Sequence, residues 1–415
     1  MLLQLPDEIL WHISRELEDQ HDRLHLATSC QRLYGTLRST IFWEVALCTY
    51  LPESLDEIDQ VCQFLYTIVR DPKLASMVHV LDLGCWQTKS TRDDEGSPDD
   101  FDFDRDLMEN LVREATSDGD YREQWLEDLA AGVTDAWLAL LIPRLTNLCE
   151  ISFVWPSGAD YFPAMRYLGG FRVYESSIDE DRGEDDELDK KLSVKIDPGS
   201  SSITDIVVKV CDAADGMHAW IRGCKALTSF RLTMDSLVSY APPNKRKLYK
   251  ALSVHKAVLE AISISNVPDS IEDESTDSFM GPFADFSALK VLHVACADIV
   301  GLDNEKRPMR SLSDVLPSSL ETLSLCVLDG DLFGWVIKQC ELLLDSNVCP
   351  QLESIRLESR AISDPTEALK AKELKRRCQD EGISFRTFDV ERWEVERKVM
   401  RYWDSVWPID HVFDL

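Results

Sequence analysis

Apolar residues recur along this chain in the spacing apolar-x-x-apolar-x-apolar. The pattern reads Val78-x-x-Leu81-x-Leu83, Leu148-x-x-Ile151-x-Phe153 and Leu227-x-x-Phe230-x-Leu232. It returns as Leu259-x-x-Ile262-x-Ile264, Leu289-x-x-Leu292-x-Val294, Leu320-x-x-Leu323-x-Leu325 and Leu352-x-x-Ile355-x-Leu357. From residue 227 the copies start 32, 30, 31 and 32 residues apart. Weaker copies start at Leu168 and Ile203, and a final strand is expected from Ile383 to Val390. Alternation at the end of each copy predicts a short strand with one buried face. Between copies the spacing turns helical, as in Leu332-Phe333-x-x-Val336-Ile337-x-x-Cys340. One strand and one helix cannot bury their own core, so the copies must stack.

The first 45 residues follow another rhythm. Pro6, Asp7 and Glu8 suit a helix start, the proline at the first helical position and the acids at the positive end of the dipole. Ile9, Leu10, Ile13 and Leu17 then form a stripe at helical spacing. Leu24, Leu26, Leu33 and Leu37 give further apolar faces, and Trp43 closes the segment. So small a unit cannot hide all these faces by itself. It must pack on the repeats or offer a face to another protein.

Charge changes the picture next. The 415 residues carry 44 Lys+Arg against 75 Asp+Glu, a net −31. At about 150 residues per domain this length suggests roughly three domains. Asp93–Asp128 holds 15 acids and 3 bases, Glu175–Asp189 holds 9 and 1, and Asp269–Asp285 holds 6 and none. These three segments account for −26 of the −31. They read as solvated insertions between packed units, or as a lure for a basic partner; the second half of the first is a candidate acidic helix. Such a balance argues against binding nucleic acid or an anionic membrane surface. No apolar run approaches the roughly 20 residues that span a bilayer. The opening Met-Leu-Leu-Gln-Leu-Pro-Asp-Glu has no basic leader, so a cytoplasmic or nuclear protein is expected. The 12 cysteines form no Cys-x-x-Cys pair and are expected to be reduced thiols.

Nothing marks an enzyme. The chain has no His-Glu-x-x-His and no Gly-x-Ser-x-Gly. Gly84–Ser90 ends like a phosphate loop but lacks the glycine before the lysine, and His21 and His25 have no third metal ligand in sight. No cofactor is expected. The strand positions that point away from the core should line a concave face. Among them Val154, Arg231, Thr233, His293, Arg356 and Glu358, with Trp155 just past one strand end, are the candidates for holding a protein. The basic run Lys370 to Arg377 reads as a solvated helix face. The aromatic tail 391–415 reads as a helical cap on the last repeat, or as a gripping tail.

The N-terminal segment resembles an F-box. The pattern maps onto Leu5, Pro6, Glu8, Ile9, Leu10, Ile13, Leu17, Asp22, Leu26, Cys30, Arg32, Leu33 and Trp43, with Arg23 and Ser29 as departures. The repeats resemble the leucine-rich-repeat tails of F-box proteins, especially the divergent kind numerous in filamentous fungi. This resemblance implies an α/β chain: a helical F-box over 1–47, then an irregular leucine-rich-repeat solenoid over 48–390. The acidic insertions would fall near 90–128, 175–190 and 268–285. It further implies a substrate-recognition adaptor of a Skp1–cullin–F-box ubiquitin ligase, itself without catalytic activity. Leu5, Pro6, Glu8, Ile9, Leu10, Ile13, Leu17, Leu24, Leu26 and Leu33 would meet Skp1, and through it cullin. The repeats would hold an unidentified protein substrate. The alternative is an acidic leucine-rich-repeat scaffold or inhibitor of basic proteins with no ligase role.

Overall fold

The computed structural model describes residues 4–17, 20–47, 57–85, 103–115, 119–154, 174–175, 194–195, 199, 201–208, 217–234, 244–266, 279–327, 330–346, 348–359 and 364–389. The expected copy at Leu168, most of the acidic run after Glu175, Trp155 and the tail 391–415 lie outside these residues. The chain forms two compact units. The first is Met1–Val208 with Ala219–Ala226, and the second is Lys209–His218 with Leu227–Leu415.

The first unit opens with three helices, α1 (Asp7–Arg15), α2 (Gln20–Thr28) and α3 (Gln31–Ile41). Leu10, Ala27, Leu33, Leu37 and Ile41 form their common core, with Leu5, Leu26, Cys30 and Phe42 packed against it. Pro6, expected as the first helical residue, takes the N-cap position of α1, one place before its first helical residue Asp7. Its carbonyl accepts from the backbone N–H groups of Ile9 and Leu10 at 3.1 and 3.2 Å.

The helices run straight into β1 (Glu44–Ala46), a strand the sequence reading did not foresee. Phe42-x-x-Val45-x-Leu47 repeats the solenoid spacing, and both Val45 and Leu47 are buried. The motif was masked by lying inside a segment that already had a helical reading. α4 (Glu57–Arg70) and α5 (Pro72–Ala75) follow, then β2 (Val80–Cys85). After β2 come α6 (Arg105–Ala115), α7 (Gly119–Ala130), α8 (Thr134–Leu141) and β3 (Glu150–Val154). A short antiparallel pair, β4 (Tyr174–Glu175) and β5 (Val194–Lys195), precedes β6 (Asp205–Val208) and α9 (Met217–Gly223). β1 pairs with β2, β2 with β3 and β3 with β6, all parallel.

The second unit holds β7 (Ser229–Met234), α10 (Lys245–Leu252), β8 (Ala261–Asn266), β9 (Val291–Ala295) and α11 (Cys296–Val300). It continues with α12 (Leu312–Val315), β10 (Thr322–Val327), α13 (Gly330–Ser346), β11 (Ser354–Ser359), α14 (Pro365–Asp380) and β12 (Ser384–Asp389). The six strands pair in sequence order, each parallel to the next. Every clear apolar copy named from sequence lands on a strand, on β2 and β3 in the first unit and on β7 to β11 in the second, and the weak copy at Ile203 lands on β6. Phe230, Leu232, Ile262, Ile264, Leu292, Val294, Leu323, Leu325, Ile355 and Leu357 are all buried. Each such Leu, Ile or Phe contributes about 1.5–3 kcal/mol when removed from water.

A backbone device links successive strands. The residue just before one strand offers its carbonyl to two N–H groups at the start of the next. Thr228 accepts from Glu260 and Ala261, Glu260 from Lys290 and Val291, Lys290 from Glu321 and Thr322, and Glu321 from Glu353 and Ser354. Within the first unit Trp43 accepts from His79 and Val80, and His79 from Cys149 and Glu150.

The acidic stretch ending at Asp128 is no simple solvated insertion where it is described. α6 and α7 are amphipathic, and Met108, Leu111, Val112, Trp125 and Leu129 are buried. Trp125 Nε1 donates to the Ala136 carbonyl at 2.9 Å and Trp137 Nε1 to that of Leu129 at 3.2 Å. The end of the third acidic segment is likewise anchored, with Met280 and Phe283 buried.

Candidate functional site

Each unit carries one candidate surface. On the helical cluster the apolar stripe of α1 is split. Leu10 is fully buried and Leu33 nearly so, which removes both from the set of residues offered to a partner: the cluster's own core consumes them. Leu5, Ile13, Leu17 and Leu26 are half-buried, while Pro6 and Glu8 are exposed. Ile9 is 44% exposed and Leu24 40%, on α1 and α2. Leu17 lies past the end of α1, where its carbonyl accepts from Arg23 Nε at 2.7 Å. That bond gives Arg23, a departure from the family pattern, a local structural task.

Sequence reasoning missed two large side chains here. Trp11 is 48% exposed, with its Nε1 donating to the Thr36 carbonyl at 2.8 Å. Tyr34 is also exposed. Both sit off the apolar stripe, so periodicity gave no reason to choose them. Several large apolar residues exposed on one small helical unit make it a candidate interaction surface.

In the second unit, parallel register arranges the strand residues that alternate with the core into rows. Arg231, Ser263, His293, Ser324, Arg356 and Arg386 fall in one row across β7 to β12. Cys326, Glu358 and Phe388 share the next row on β10 to β12, and Thr233 pairs with Ser265 on β7 and β8. Five of the expected residues, Arg231, Thr233, His293, Arg356 and Glu358, are therefore placed along neighbouring rows of one face. Val154 belongs to β3 of the first unit.

His293 is 8% exposed. Its Nδ1 lies 3.1 Å from Ser263 Oγ, and its Nε2 lies 3.5 Å from Glu358 Oε2, beyond hydrogen-bond reach. The Arg356 guanidinium stacks over the Phe388 ring at 4.5 Å. Burial holds that guanidinium below its ordinary value, Arg386 pushes the same way, and Glu358 opposes both. Ser324, between His293 and Arg356, is 5% exposed, and its Oγ makes no hydrogen bond. Arg386 is exposed and was missed from sequence. The final strand was recognised, but its register was not, and only register aligns Arg386 with Arg356.

Among the described residues no group of three His, Cys, Asp or Glu is placed to hold a metal, and no helix is long and apolar enough to cross a membrane. Cys30, Cys62, Cys149, Cys224, Cys296, Cys326, Cys340, Cys349 and Cys378 are free thiols. Burial raises Cys224 to about 12, and Cys349 and Cys378 to about 11.

No curated protein and no solved structure matches the chain. A family model of a leucine-rich repeat domain matches residues 190–371 and stops well short of the N-terminal helices. Residues 190–371 thus carry a leucine-rich repeat domain, a type that works by protein–protein interaction.

Proposed function

We propose that this chain is the substrate-recognition adaptor of a Skp1–cullin–F-box ubiquitin ligase. Its N-terminal helices would dock on Skp1, and its repeat strands would hold the protein to be modified. The observation that carries this reading is the set of large apolar side chains left exposed on α1, α2 and α3, next in sequence to a repeat array. Ile9, Leu24, Trp11 and Tyr34 would enter an apolar groove as spaced anchors. Leu5, Pro6, Glu8, Ile13, Leu17 and Leu26 would complete the contact, and Leu10 and Leu33 would support it from inside. The chain would do no chemistry itself.

The test is co-purification of the full chain with Skp1, beside the Ile9→Asp variant. Because Ile9 is exposed, the variant is expected to stay folded and to lose Skp1 and cullin together. Retention of Skp1 by the variant, or no Skp1 with either form, would sink the adaptor reading. The net charge of −31 favours one second reading, a scaffold that binds basic proteins without a ligase. Its capture of basic proteins would fall steeply as salt rises.

A further inference from the structure

The basic run on α14 has two sides. Towards α13, Lys370 holds Glu367 at 2.7 Å and Arg377 holds Asp345 at 2.7 Å. Ala371, Leu374 and Cys378 turn inward and are buried. The outer side is different. Leu369 is 67% exposed there, more than any other large apolar residue described. Lys372, Lys375 and Arg376 are exposed beside it. Arg376 reaches Asp380 at 3.4 Å, but Lys372 and Lys375 form no ion pair with any described residue. Lys372 faces Lys375 at a spacing of three and Arg376 at a spacing of four, and like charges so placed repel on a helix. One exposed leucine alone would mean little. Set among mutually repelling cations, it matches a segment that is both apolar and acidic.

The chain carries such a segment within reach. Residues 402–415 hold Tyr402, Trp403, Trp407 and Phe413, the acids Asp404, Asp410 and Asp414, and no Lys or Arg. The denser acidic run Glu175–Asp189 has no aromatic residue to offer Leu369. β11 and β12 are parallel, so α14, which joins them, runs back along both. The six residues of β12 rise about 20 Å along a helix about 24 Å long. β12 therefore ends level with the first turns of α14, where Leu369 lies. The linking residues 390–401 can span about 40 Å, enough to reach any point on the helix.

We propose that residues 402–415 of this same chain dock on the outer side of α14, with an aromatic ring over Leu369 and aspartates on Lys372 and Lys375. The segment then lies against the helical layer, away from the strand face. Seating its carboxylates relieves the repulsion between the two lysines, and covering Leu369 removes apolar surface from water. The inference does not depend on the ligase reading.

The experiment is zero-length carbodiimide cross-linking of the full chain, mixed in equal parts with its nitrogen-15-labelled form and read by mass spectrometry. Lys290 and Glu260, 2.7 Å apart, supply the internal control link. Links from Lys372 or Lys375 to Asp404, Asp410 or Asp414 are expected, both ends within one isotopic chain. Leu369→Ser removes the apolar contact and leaves every charge in place, so it should lower the yield of these links at least fivefold. The control link should not change, which shows that the variant is folded. Met309→Ser, at another exposed apolar residue of the same unit, should leave all links intact. Absence of the lysine–aspartate links while the control link forms overturns the proposal. Links of mixed isotope do so as well, because they place the segment on a second copy. Full yield in Leu369→Ser also overturns it, since chance encounters of opposite charge would then suffice.

Discussion

Ile9 and Leu10 are neighbours with opposite environments, and the difference is open to measurement. Leu10 is fully enclosed by α3 and its neighbours, so Leu10→Ala should cost about 2–5 kcal/mol and lower the thermal midpoint of the first unit. Ile9→Asp should leave the stability within about 0.5 kcal/mol of the parent, as an exposed substitution does. Thermal denaturation of the two variants side by side decides this. The sequence placed both residues on one apolar arc and could go no further. At 3.6 residues per turn, positions 9, 10, 13 and 17 share an arc of about 100° on the helix surface. Which part of that arc turns inward depends on where α3 lies, and that is a tertiary fact. Trp11 and Tyr34 were hidden for the opposite reason: nothing in a pattern of buried positions points to an aromatic residue that stays outside.

At the scale of elements, the strands were the legible part. Buried pairs such as Leu323 and Leu325 must alternate, so their spacing is written directly into the sequence. The step between strands was not legible, because backbone carbonyls make it. The accepting residues include Trp43, His79, Thr228, Glu260, Lys290 and Glu321, and they share no side-chain chemistry. Helix starts were better marked. Asp364 caps α14, accepting from the N–H groups of Thr366 and Glu367 at 2.7 and 3.2 Å. Those backbone bonds hold its carboxyl below the usual range. A carboxyl depressed in the folded state supports stability above its unfolded value and loses that support as pH falls through its folded value. Asp364→Asn keeps an oxygen at the cap but removes the titration. The variant should show a shallower fall in thermal midpoint between about pH 5 and pH 2 than the parent. An identical fall in both would show that the cap charge is immaterial.

Across the whole molecule, charge was the least reliable guide. Counting acids correctly located the unusual segments, but it could not show that α6 and α7 bury Met108, Trp125 and Leu129 beneath an acidic outer face. Cysteine was read more simply, as a small apolar residue. Cys224, Cys296, Cys340 and Cys378 are buried, and burial pushes each thiol upward. Since the thiolate is the reactive form, these groups should be inert to alkylation at about pH 8 in the native protein. They should become labelled together with global unfolding as urea is added, which mass spectrometry can follow. Labelling well before the loss of circular dichroism would mean that the repeats open locally.

The passage from α3 into β1 has a practical consequence. The N-terminal helices are fused to the strand array, not tethered to it. Arg38 Nη2 holds Asp71 at 2.6 Å, and the Trp43 ring stacks on His79 at 3.7 Å. β1 is also the short terminal strand that covers β2. Cutting away residues 1–47 would uncover the strand edge of β2 at Val80, Leu81 and Asp82 and leave a template for pairing with another chain. A truncated protein that aggregates, or fails to hold its partners, would then be reporting a frayed edge. Only point changes on the outer side of the helices can separate docking from the integrity of the array.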